Sequence, residues 1–115
     1  MKFAMVIAFV KEELEDQAID IAKANGAGGV TISKGSGVGL NEKKTFFGLS
    51  YERAESLLFF VLEKHIALNV MKALKKELSL DDTGNGMVMS LPIEHLAGIP
   101  SQQLNKFEEQ LKEEH

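Results

Sequence analysis

The chain has 115 residues, 44% of them apolar and 26% charged, with a formal net charge of −4 and no cysteine. That length suits one domain with its own core. The acidic balance argues against nonspecific nucleic-acid binding, and the lack of thiols excludes a disulfide framework, a cysteine nucleophile and a thiolate metal site.

Residues 3–10, Phe-Ala-Met-Val-Ile-Ala-Phe-Val, form a continuous apolar run of strand length. Its β-branched and aromatic content predicts a buried central strand. The run is too short to span a bilayer. Lys11-Glu12-Glu13 follows with no small-residue cleavage site, so it is not read as a signal peptide. From Glu12 the period changes: Leu14, Ala18, Ile21 and Ala22 recur on one helical face. Gly26, after Asn25, suits a left-handed helix cap. Val30-Thr31-Ile32 then opens a second strand, which runs into the cluster Gly35-Ser36-Gly37-Val38-Gly39.

Residues 41–53 read as a loop with unusual content: Lys43, Lys44, Phe46, Phe47, Leu49 and Tyr51. Exposed aromatics in such a loop anchor interfaces. The plainer alternative is packing on the body or a β-ribbon. Residues 55–62 predict a third strand. Residues 65–78 predict a second helix with Val70, Met71, Leu74 and Leu78 on one face. Residues 81–86 make a turn ending in Gly84-Asn85-Gly86, and residues 87–91 a fourth strand. After Pro100, Ser101 can cap a short last helix, in which Leu104, Phe107 and Leu111 keep helical spacing.

The order β-α-β, loop, β-α-β, tail predicts an α+β, ferredoxin-like fold: a four-stranded antiparallel sheet with both helices on one face. Residues 1–100 are expected to form a single domain and residues 101–115 a helical tail. The first and third strands are apolar at consecutive positions, so both faces need burial. Oligomerisation through the open sheet face is therefore expected.

In order and spacing, residues 1–100 resemble the PII signal-transduction proteins. The turn Gly37-Val38-Gly39 introduces a long loop, and Thr83-Gly84-Asn85-Gly86 introduces the fourth strand. The resemblance implies a cytoplasmic, non-enzymatic homotrimer that binds adenine nucleotides in clefts between subunits. It also implies that the loop between strands 2 and 3 docks on target proteins such as membrane transporters or enzymes, with no nucleic acid involved. Carried over by position, Thr31, Gly37 and Gly39 match one side of the cleft. Gly84, Asn85 and Gly86 match the turn called the B-loop, and Lys43, Lys44, Phe46, Phe47 and Tyr51 fall in the docking loop. Glycine suits such loops because a backbone amide approaches phosphate oxygens only where no Cβ intervenes.

The chain departs from the family at its cations. Leu40-Asn41 stand where members carry Arg-Gln, Met87 where they carry Lys, and Gly98 and Pro100 where they carry two arginines. A triphosphate needs several cations. An effector of lower charge, such as a nucleoside monophosphate or bicarbonate, needs fewer.

The alternative is a trimeric metal-binding protein of the related CutA type, for which His65 and His95 are the candidate ligands; Glu94 and His95 could also build a metal site across subunits. No histidine stands at i, i+4 from another, and no metal ligand set is assigned. The run Glu12-Glu13-Leu14-Glu15-Asp16 reads as a solvated helix face. Ser33, Ser36, Ser50, Ser56, Ser79, Ser90 and Ser101 show no base partner in the sequence, so no catalytic residue is expected.

Overall fold

The computed structural model describes residues 1–37, 45–46, 49–50, 53–82 and 84–114. The elements in chain order are β1 (Phe3–Lys11), a 3-10 turn (Glu12–Leu14), α1 (Glu15–Ala24), β2 (Thr31–Gly37), β3 (Thr45–Phe46) and β4 (Leu49–Ser50). Then follow β5 (Arg53–Glu63), α2 (Lys64–Glu77), β6 (Gly86–Ile93) and α3 (Ser101–Glu114). The main sheet runs β2-β5-β1-β6, antiparallel at each junction. The two apolar runs are thus its two central strands. α1 and α2 each connect strands that are not neighbours, and both pack on one face. This is the ferredoxin-like α+β fold that the residue pattern predicts.

In antiparallel pairs, residues directly opposite share a face. On the helix-facing side, the small residues Ala4, Val6 and Ala8 of β1 lie opposite the larger Leu62, Phe60 and Leu58 of β5. The mismatch in size lets Ala18, Ile21 and Ala22 of α1 and Ile66, Ala67, Val70 and Leu74 of α2 pack down on the sheet in one core. Phe60 is among the largest fully buried side chains. Truncating it to Ala should cost about 3–5 kcal/mol.

The helix ends differ in part from the sequence reading. Residues 12–14 form a 3-10 turn without a side-chain cap, so α1 proper starts at Glu15. Gly26 takes the expected left-handed conformation at φ +111°. α2 is capped by Glu63, the last residue of β5, whose carboxylate accepts from the His65 N–H at 2.8 Å and the Ile66 N–H at 3.2 Å. β2 reaches Gly37 through the glycine cluster, and β6 extends through Pro92, which an edge strand tolerates because its lost N–H faces outward.

The last helix is not short. α3 has 14 residues, as many as α2. Ser101 is its first residue, and the Pro100 carbonyl accepts from the N–H groups of Gln103 and Leu104. Phe107 is buried in the same core and meets Phe3 edge to face, with ring centroids 5.6 Å apart. Gln110 Nε2 donates to the Gly26 carbonyl at 3.1 Å. Among the described residues, no helix is long and apolar enough to cross a membrane.

Candidate functional site

The open side of the sheet is apolar. In register across it stand Leu57, Phe9 and Met87; then Phe59, Ile7 and Met89; then Val61, Met5 and Leu91. Val61, Met87 and Leu91 keep relative exposures of 39%, 57% and 43%. A face of this size is unusual on a monomer.

At one end of this face lies a groove of about 540 Å³. Its floor includes Met5, Phe59 and Val61 of the sheet. Gly28, Gly29 and Thr31 form one wall, and Gly98, Ile99 and Pro100 another. No charged side chain among the described residues lines it; the Thr31 hydroxyl and the Gln103 amide are its polar side chains. Thr31 is thereby brought together with Gly98 and Pro100, the two positions noted above for their missing arginines. Gly29 has a further property: its backbone is not left-handed, and a Cβ added to it would meet nothing within 4 Å. Its small size leaves space in the groove and serves no internal contact.

The other glycines carried over from the resemblance lie elsewhere. Gly37 ends β2, which starts at Thr31, so the two are roughly 20 Å apart at about 3.3 Å per residue. Gly86 pairs with Val10 and Gly37 with Arg53, which puts both at the same end of the sheet. They sit on its opposite edges, however, separated by three strand spacings or about 14 Å. One subunit alone does not close both loops on one small ligand.

The turn before β6 is built by its own chain. A Cβ on Gly86 would lie 2.1 Å from the Phe9 carbonyl oxygen, at φ +138°, so glycine is required there for the sheet. Gly84 is also left-handed, at φ +85°. Asn85 Nδ2 donates to the carbonyls of Leu78 and Ser79, both at 3.1 Å, and so closes the end of α2.

Gly39, Lys43, Lys44, Phe47 and Tyr51 lie outside the described residues. Phe46 pairs with Leu49 across β3 and β4, so part of the 41–53 segment is the β-ribbon named above as the plainer alternative.

Sequence reasoning missed a cluster at the root of this ribbon. Ser56 is fully buried; its Oγ donates to Glu15 Oε1 at 2.7 Å and accepts from Lys34 Nζ at 3.1 Å. Lys34 and Glu15 also form an ion pair. The Lys34 ammonium, with help from Ser56, holds the Glu15 carboxyl below its usual range, and Glu15 in turn raises Lys34. Glu15 is therefore not a simple solvated-face carboxylate, and Ser56 does have partners. Buried and donating to a carboxylate, Ser56 ties the start of α1 to β2 and β5.

His65 Nδ1 lies 2.7 Å from Glu63 Oε1, while Glu94 and His95 are exposed. Among the described residues, no group of three or more His, Cys, Asp or Glu could hold a metal ion.

No protein-family model and no curated protein sequence matches the chain. Among solved structures, that of a B. subtilis GlnK–ATP complex matches with a TM-score of 0.66 and 17% identity. The match covers 85% of this chain and 89% of that one. GlnK is a PII protein. The chain has the fold of a PII protein. At this identity the likeness concerns the fold alone.

Proposed function

We propose that the protein is a PII-like regulatory protein: a cytoplasmic homotrimer that binds a small effector between subunits and docks on a target protein through residues 41–53. The observation that carries this reading is the division of the site. Thr31, Gly98 and Pro100 share one groove, while Gly37 and residues 84–86 stand on opposite sheet edges. A neighbour packed on the apolar open face would supply the wall that one subunit lacks. Residues 1–100 would form the body of each subunit and residues 101–115 a tail docked on it.

The effector is of low charge. The groove offers apolar surface, a hydroxyl, an amide and the backbone of glycines, with no described cation for a β- or γ-phosphate. A nucleoside monophosphate such as AMP fits this chemistry better than ATP. Binding would bias the segment 41–53, which carries Phe46 and Phe47 in its sequence, displaying or hiding an apolar docking surface for a transporter or an enzyme. That transfer works only if the effector binds the two ribbon states with different affinity. No catalytic step is assigned, and no described residue favours the metal-binding alternative.

Gly29→Leu tests the reading. Within one subunit the side chain would enter open groove space and meet no neighbour within 4 Å at its Cβ, so the subunit should fold, and light scattering checks that the trimer mass is kept. AMP binding should be lost. A variant that binds AMP as well as the parent would remove this groove from the site.

A further inference from the structure

We propose a second ligand site on the helical side of the molecule, for a compact dianion carrying a phosphoryl group or two carboxylates. A groove of about 490 Å³ lies between the end of α1, the outer face of α2 and α3. Its floor is small or apolar, with Ala24, Gly26, Ile66 and Ala73. Its polar side chains are Asn25, Asn69, Lys72, Lys76 and Gln110. No carboxylate among the described residues lines it, in a chain with 17 Asp and Glu against 13 Lys and Arg.

Lys72 and Lys76 are the central feature. They stand at i, i+4 on α2, both exposed, where like charges destabilise a helix. Two other lysines have acidic partners, Lys34 with Glu15 and Lys75 with Asp81. Among the described residues, Lys72 and Lys76 pair with no carboxylate. Their side chains leave the helix about one turn apart, so both ammonium groups can reach one dianion, which turns the repulsion into two charge-assisted contacts.

Two side-chain amides support an anion there. Asn25 Nδ2 donates to the Ile21 carbonyl and Gln110 Nε2 to the Gly26 carbonyl, which fixes both amides at the rim. Each amide nitrogen carries a second N–H. The end of α1 works against an anion, because it brings the negative pole of its dipole to the groove. Its carbonyls at Ala22 and Lys23 are already occupied by the N–H groups of Asn25, Gly26 and Ala27. The site is separate from the effector groove. Asn25 and Gly26 line this one, and Gly28 and Gly29 line the other. It does not depend on a trimer.

The test is a titration of the full chain, isotope-labelled for amide NMR, with inorganic phosphate and with succinate in separate arms. The proposal expects saturable shifts at Gly26, Asn69, Lys72 and Lys76 in at least one arm. The arm that saturates tells phosphoryl from dicarboxylate recognition. The double variant Lys72→Ala, Lys76→Ala should keep the spectrum of a folded protein and bind at least about tenfold more weakly. The proposal is overturned by unsaturated shifts in both arms, by equal shifts with sodium chloride at matched ionic strength, or by unchanged affinity in the double variant.

Discussion

Gly86 lies directly against Phe9: a Cβ built on it would sit 2.1 Å from the Phe9 carbonyl oxygen. The glycine therefore lets β6 close on β1. Gly86→Ala should cost at least about 2 kcal/mol, through backbone strain and the forced separation of two strands. Thermal unfolding should show a fall of roughly 10 °C. An unchanged midpoint would refute the packing account.

Gly29 is the contrasting case, with an ordinary backbone and open space around it. Gly29→Ala should leave stability unchanged or raise it by up to about 1 kcal/mol, by restricting the unfolded chain. A clear loss of stability would mean that the groove wall is packed more tightly than these contacts indicate.

Asn85 holds its turn as a donor, with its amide on the carbonyls of Leu78 and Ser79. Asn85→Asp would set a carboxylate against two carbonyl oxygens. The expected cost is about 1–2 kcal/mol at neutral pH, shrinking in acid where the protonated acid can donate again. Denaturant unfolding at both pH values reads this out. Equal stability of parent and variant at neutral pH would count against it.

The Glu15–Lys34–Ser56 cluster makes stability depend on pH in a defined direction. The hydrogen bond from Lys34 comes first, then that from Ser56, in holding the Glu15 pKa below its ordinary 4.5. The unfolded chain thus takes up the proton more readily. The contribution is fully present above the ordinary pKa and is lost as pH falls through the lower, folded one. Lys34, raised above 10.5 by Glu15, contributes at neutral pH and loses that contribution as pH rises through its folded pKa. Glu15→Gln should therefore be less stable than the parent near neutrality and converge with it in strong acid. A gap that stays constant from neutral pH into acid would contradict this.

This cluster also shows where sequence reading stops. Lys34 and Ser56 lie 19 and 41 positions from Glu15, and only the sheet order brings them together. Read alone, Glu15 is one charge in an acidic run. By contrast, Ala4 to Val10 and Leu58 to Leu62 announce central strands because their neighbours are apolar too. The face of α2 bearing Val70, Leu74 and Leu78 follows from helical spacing, although Met71 on that face is only half-buried. The reading of β6 stopped short of Pro92, because proline marks a strand end unless the strand is known to be an edge. At the candidate site, the glycine turns were visible as turns. Their placement on opposite edges was not, since it depends on β5 inserting between β2 and β1. Nor was the meeting of Thr31 with Gly98 and Pro100.

The open face predicts a further effect. Val61 is 39% exposed in the single chain and stands beside Met5 on the floor of the groove. Val61→Lys should cost the isolated subunit little, because the lysine can reach water. Inside a subunit interface it would bury a charge with no described partner. Light scattering should then report a lower mass for the variant than for the parent. An identical oligomer would place the interface elsewhere.

The most direct test of the central claim is calorimetric titration of AMP, ADP and ATP into protein whose mass has been fixed by light scattering. The account predicts a trimer that binds one AMP per subunit, at least as tightly as it binds ATP. A monodisperse monomer, or a trimer that takes up none of the three, would contradict it.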